Sequence, residues 1–179
     1  MPQEKKTKVA PKKKVLDIEK AVTREEILNL ENEISQIEGA FFGNTVNCPL
    51  KHSFTDGIYV REIFIPKGTI LTGKIHKHEH PNFLMKGTVK IATEYDGVKI
   101  LKAPLSMISK AGTKRTLIAL TDLVWVTVHH NPKNKQNIDE LESDIVATSY
   151  EEYDKFTEKQ KKGTLKSRIF GVINKLIKL

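Results

Sequence analysis

The sequence predicts a mainly β protein, a small antiparallel sandwich or barrel with helices on either side of it. Three features carry that expectation. Short segments of alternating apolar and polar residues recur between Ile58 and His129, turn signals separate them, and capped helical patterns stand before and after.

The opening MPQEKKTKVAPKKK holds six lysines against Glu4 and almost no large apolar residue, so residues 1–22 are expected to form a disordered basic arm. Thr23 and Glu26 then make a capping box, and Ile27, Leu30, Ile34 and Ile37 repeat at helical spacing before Gly39, which predicts a helix over 23–39. Strand grammar follows, in a barrel expected over 40–135. Ile58–Ile65 alternates and stops at Pro66-Lys67-Gly68; Thr88–Glu94 and Val98–Lys102 flank the hairpin signal Asp96-Gly97; Thr116–Leu120 and Leu123–His129 flank Thr121-Asp122. Asn137 can cap a helix containing Ile138, Leu141 and Ile145. The chain is then polar through Lys162, and Thr164–Leu179 forms a basic amphipathic helix, with Leu165, Ile169, Phe170, Ile173, Leu176 and Ile177 on one face. Residues 136–179 thus read as a C-terminal helical extension. That last helix suits an anionic membrane, a partner's groove, its own domain or an oligomer.

A chain of 179 residues with 39% apolar content can bury a real core. The net charge of +8 is unevenly placed: residues 155–179 carry eight Lys or Arg against Glu158, whereas residues 15–154 hold 16 basic and 20 acidic residues. The basicity lies in the tails, where nucleic acid, an acidic partner or a virion protein is the expected contact. Cys48 is the only cysteine, which excludes an intramolecular disulfide and suits a reducing compartment. No secretory signal or membrane-spanning run is evident, so a cytoplasmic location is expected, in a host cell or a particle assembled there.

The stretch GKIHKHEHPN places His76, His78 and His80 at alternating positions. Around it the spacing runs Gly68, five residues, Lys74-Ile75-His76, three residues, His80, six residues, Gly87. This resembles the first motif of the cupin superfamily, with Lys74 where that family has its first histidine and His80 where it has a glutamate. In the second motif Gly112 is kept, while Arg115 takes the position of the histidine ligand and Ala119 that of the asparagine. The resemblance covers about residues 58–130 and implies a small jelly-roll barrel with these positions pointing into its mouth, His76 and His80 inward and His78 in the bend between them. The segments around Cys48–His52, Tyr59–Glu62, Ala111–Arg115 and Val124–His129 also resemble small cupin-like proteins of tailed bacteriophages.

Histidines in this arrangement suit zinc, nickel, iron or manganese, and the candidate ligands are His76, His80, His78 and His129. Two cations oppose a metal. A protonated Lys74 or Arg115 about 4 Å from a divalent ion costs about 8 kcal/mol at an effective dielectric near 20. The same charges beside His76 and His80 define a pocket for a small anion, with Lys74, His76, His80 and Arg115 as its candidate binding residues. A pocket without metal, in which His76 or His80 acts as a base oriented by Glu62 or Glu79, is the competing expectation, as is a water-filled mouth without a ligand. No catalytic residue is assigned. The expected function is binding of a small anionic ligand, with a divalent metal as the optional cofactor; the alternative is a non-enzymatic phage accessory or virion protein. A homo-oligomer is implied by the resemblance.

Overall fold

The computed structural model describes residues 23–40 and 47–177, so the arm predicted over 1–22 lies outside the described residues. Strands run β1 Leu50–Thr55, β2 Ile58–Ile65, β3 Ile70–Thr72, β4 Ile75–His76, β5 His80–Lys86, β6 Thr88–Thr93, β7 Gly97–Lys102, β8 Leu105–Ser109, β9 Arg115–Ala119, β10 Leu123–His130 and β11 Val146–Ala147. Helices are α1 Arg24–Ser35, α2 Ile138–Ile145 and α3 Tyr150–Ile177.

The strands form two antiparallel sheets, β1-β2-β10-β5-β8 and β3-β9-β6-β7, with the short pair β11-β4 at one end. Because β10 lies between β2 and β5, the chain crosses repeatedly between sheets, and the result is an antiparallel jelly roll. The inward faces bury Ile65, Leu84, Val89, Ile91, Leu117, Ala119, Leu123 and Trp125 as the main core. The segment predicted as Ile58–Ile65 is a strand with those bounds. Asp96-Gly97 is not a two-residue turn: Thr93 pairs with Gly97, leaving a three-residue loop with Gly97 at φ +64°. Asp56-Gly57 makes the two-residue turn instead, joining the pair Thr55 and Ile58.

The capping box at Thr23 and Glu26 is formed, and α1 lays Ile27 and Leu30 against Ala92, Ile70, Val98 and Ile118 on the outside of the four-stranded sheet. The helix ends at Ser35, so Ile37 falls beyond it and is 46% exposed rather than part of the stripe. Asn137 caps α2 through Oδ1, which accepts from the Glu140 amide at 3.1 Å, and Leu141 and Ile145 pack on Tyr59.

The polar stretch after Ile145, to which the sequence assigns no helix of its own within the helical extension, is ordered. It is helical from Tyr150, with the Ser149 hydroxyl accepting from the Glu152 amide at 3.1 Å. Glu, Lys and Gln favour helix without an apolar stripe, and Tyr150 and Tyr153 anchor this root against Ile75 and Ala147. The side chains of 165 and 168–177 lie outside the described residues, and with them the predicted apolar face.

Gly87, at φ +94°, meets the Asp122 carbonyl at 2.2 Å from where a Cβ would stand, whereas Gly57, at φ +72°, has nothing within 4 Å. Gly57→Ala is expected to cost about 1–2 kcal/mol, the left-handed backbone penalty alone. Gly87→Ala should cost clearly more, because backbone must move as well; urea denaturation of the two variants checks the order.

Candidate metal and anion site

The inward face of the five-stranded sheet changes character along its strands. On β2 it reads Ile65, Ile63, Arg61, Tyr59; on β10, Leu123, Trp125, Thr127, His129; on β5, Leu84, Asn82, His80. The register aligns these steps: Trp125 stands opposite Ile63 and Leu84, Thr127 opposite Arg61 and Asn82, and His129 opposite Tyr59. Half of the barrel is therefore apolar core. The other half holds a cavity of about 910 Å³, whose lining joins Arg61, His80, Asn82, Arg115, Thr127 and His129 to apolar residues that include Ile63, Ile65, Leu71, Leu117 and Trp125.

His76, His80 and His129 meet in that cavity. One nitrogen from each lies within 4.8 Å of the others, and the ring centroids are 4.1, 5.0 and 4.6 Å apart for the pairs 76–80, 76–129 and 80–129. Three different strands deliver them. His78 is turned away, because the strand breaks between β4 and β5: Lys77 N–H donates to the Ile145 carbonyl at 2.8 Å, Val146 pairs with His76, and the His78 ring stands edge-on to Phe156 at 5.4 Å. The alternation predicted for His76, His78 and His80 thus yields two of the three, and His129 supplies the remaining imidazole.

A hydrogen bond assigns the His80 tautomer. His80 Nδ1 lies 3.1 Å from the His78 carbonyl, so it carries the proton and leaves Nε2 with a lone pair. His129 Nε2 lies 3.0 Å from the Thr127 hydroxyl, a group that serves as donor or acceptor according to the imidazole tautomer. His76 Nδ1 is buried with no partner. Burial, and then the neighbouring His80 and His129, hold the His76 pKa well below the imidazole range. His80 is lowered by burial, against the opposing pull of the His78 carbonyl. His129 is lowered to about 3 by burial, with His80 and Arg61 adding to it. All three are neutral at pH 7, the state in which imidazole donates to a metal.

The cations divide into two groups. Lys74 lines the rim with its side chain 47% exposed and pairs with Glu142 of α2. Lys114 is buried and pairs with Glu31 of α1 at 2.8 Å. Arg61 and Arg115 line the cavity, and among the described residues neither forms an ion pair; the Nε of each is buried without a partner. Arg115 donates to the Ser109 hydroxyl at 2.6 Å, and its guanidinium carbon lies 5.0 Å from the Trp125 ring centroid. Burial lowers its pKa to about 10, which leaves it charged at pH 7. Glu62 and Glu79 do not line the cavity, so neither orients His76 or His80 as a base.

Sequence reasoning passed over Arg61, Asn82 and Thr127. A signal for Arg61 existed: it occupies the inward phase of Tyr59, Ile63 and Ile65, where a charge contradicts the strand's apolar alternation.

No protein-family model matches the chain, and no curated protein matches it. Solved structures to which it is similar include ectoine synthase from P. lautus (14% identity, TM-score 0.46, 64% of this chain and 82% of that one). Others are an RmlC-like cupin family protein with a double-stranded β-helix fold from Methanocaldococcus jannaschii (14%, 0.41, 52% and 89%) and a cupin superfamily protein from Desulfitobacterium hafniense DCB-2 (8%, 0.41, 51% and 84%). At these scores the likenesses say nothing about ligand or reaction.

The depressed histidines set a pH dependence. Between pH 6.5 and about 3 the unfolded chain binds a proton at His129 that the folded chain does not, so stability is full above pH 6.5 and falls with acidification. In chelator-treated protein, His129→Asn is expected to flatten the loss measured by denaturation between pH 6.5 and 4, by about 1.4 kcal/mol per pH unit. An unchanged slope would mean that His129 titrates normally.

Proposed function

We propose that the protein binds a small anionic molecule in the polar half of the barrel, with a divalent transition metal held by His76, His80 and His129 and with Arg61 and Arg115 as the charge complement. The observation that carries this reading is the convergence on one cavity of three neutral imidazoles and two arginines without an ion-pair partner among the described residues. The donor set fits a metal: nitrogen ligands suit zinc, nickel, iron or manganese, and three protein ligands leave a position for an exogenous oxygen. When bound, the metal supplies a Lewis-acidic anchor for that oxygen. Arg61 and Arg115 supply fixed N–H donors for the remaining anionic atoms.

The same charges make the two ligands interdependent. A metal and two guanidinium groups repel one another in a dry cavity, and an anion lying between them relieves the repulsion from both sides. Metal and anion therefore bind with positive coupling, each raising the other's affinity by the same factor. Lys74, paired with Glu142, opposes the metal less than an unpaired lysine would.

Trp125, the only tryptophan, lines the cavity beneath Arg115 and reports on it. Cobalt(II) is expected to quench its fluorescence, and added phosphate or succinate should shift that titration to lower cobalt concentration. His76→Ala with His80→Ala should abolish quenching. Arg115→Gln should keep it and lose the shift. Cobalt quenching that persists without the two histidines would defeat the metal reading, and an absent shift in the parent chain would defeat the anion reading.

A role as a non-enzymatic phage accessory or virion assembly module rests on the sequence resemblance. Met85 and Ile108, 58% and 60% exposed on neighbouring strands, give the five-stranded sheet an apolar outer surface suited to association of copies. Sedimentation of the full chain reads this directly: a dimer that Ile108→Lys dissociates is expected, and a monomer at high concentration would end that reading.

A further inference from the structure

The root and the remainder of α3 face different surroundings. Tyr150 and Tyr153 are buried against the barrel end, Phe156 meets His78, and Thr157 is half-buried; from Glu158 to Thr164 every residue is exposed. The helix thus leaves the barrel after about two turns and continues to Ile177. At 100° per residue, Lys155, Lys159, Lys162 and Lys166 fall within an arc of about 60°, on the side opposite Tyr150, Tyr153 and Thr157. All four lysines are exposed, and among the described residues only Lys155 has an ion-pair partner, the exposed Glu151 at 2.6 Å. No acidic residue follows Glu158. At the same 100° spacing, positions 169 and 173, aliphatic in the sequence, fall in the phase of the lysines, with position 176 next to them.

A projecting helix exposed on all sides over two turns gains nothing from burial, and short isolated helices are marginal in water. What would stabilise it must accept cations and aliphatic groups along one face. A nucleic-acid duplex offers phosphates but nothing to the aliphatic positions. A second copy of the helix brings like charges together. An anionic lipid surface satisfies both, with headgroups opposite the lysines and the acyl boundary opposite the aliphatic positions. No helix among the described residues is long and apolar enough to cross a membrane, so the arrangement is one of lying on the surface.

We propose that the projecting half of α3 is a docking element for anionic lipid surfaces, with Lys159, Lys162 and Lys166 as its electrostatic contacts. Cosedimentation of the full chain with phosphatidylcholine vesicles, with and without phosphatidylserine, tests it. Binding is expected to the phosphatidylserine vesicles alone and to weaken with salt. Lys159→Gln and Lys162→Gln should each weaken it roughly fivefold, and Ile169→Asp with Ile173→Asp should abolish it. Trp125 fluorescence shows whether the barrel is intact in each variant. Three results overturn the proposal: no phosphatidylserine-dependent binding; vesicle binding that survives the two aspartates; or duplex DNA bound in preference to vesicles through the same lysines.

Discussion

The boundary between the two halves of the barrel depends on one buried hydrogen bond. Trp125 Nε1–H donates to Asn82 Oδ1 at 3.0 Å, and the Asn82 amide donates onward to the His80 carbonyl at 3.2 Å. Asn82 is wholly buried. Its carboxamide gives the indole N–H an acceptor inside the protein, so the ring can complete the core while its edge meets the polar cavity. Without that acceptor an orphaned indole N–H costs about 1–3 kcal/mol. The step from apolar to polar therefore falls at one level on β5 and β10, and the register carries it to β2, where Ile63 gives way to Arg61.

Beyond that level the fold pairs most of its inward or rim cations and leaves two without a carboxylate. Glu142 takes Lys74, Glu31 takes Lys114 and Glu152 takes Lys77 at 2.8 Å, each acid coming from a helix that packs against the barrel. Arg61 and Arg115 receive none among the described residues, although Arg115 has the Trp125 face and the Ser109 hydroxyl. Two buried Nε groups and His76 Nδ1 are left without partners, and unsatisfied groups of this kind are destabilising. These three line one cavity, whereas Glu94 Oε1, Thr116 Oγ1 and Tyr150 Oη, also buried without partners, lie outside it.

What could be read from the sequence follows from the range of the interactions responsible. The capping box, the Asn137 cap and the alternation of β2 are local patterns, and they formed where they were expected. His76 and His80 were legible because motif spacing is also local. The motif frame also set His78 apart in the bend between them; what was not legible is its cause, the pairing of Lys77 and His76 with residues near 145, far along the chain. Arg115, at the motif position where a histidine ligand was expected, does line the cavity, yet the third imidazole comes from the end of β10. Short strands such as β3 and β8 offer too few residues for alternation to register, and the polar start of α3 had propensity but no stripe.

The C-terminal segment joins the site to the projecting helix in a way that fixes how each can be perturbed. α2 contributes Glu142 to the rim, β11 holds His76 through the pair with Val146, and the root of α3 fixes Gly112 by packing Tyr153 where a Cβ would stand 2.6 Å from its ring. Residues 138–157 thus form part of the wall that positions an imidazole, even though sequence alone assigns them to an appendage. From Glu158 to Thr164 every residue is exposed. Changes in the projecting half should therefore leave the histidines in place, whereas changes at Lys77, Glu152 or Tyr153 act on the site through the backbone of β4. Two surfaces with different chemistry share one helix, and the division falls where its contact with the barrel ends.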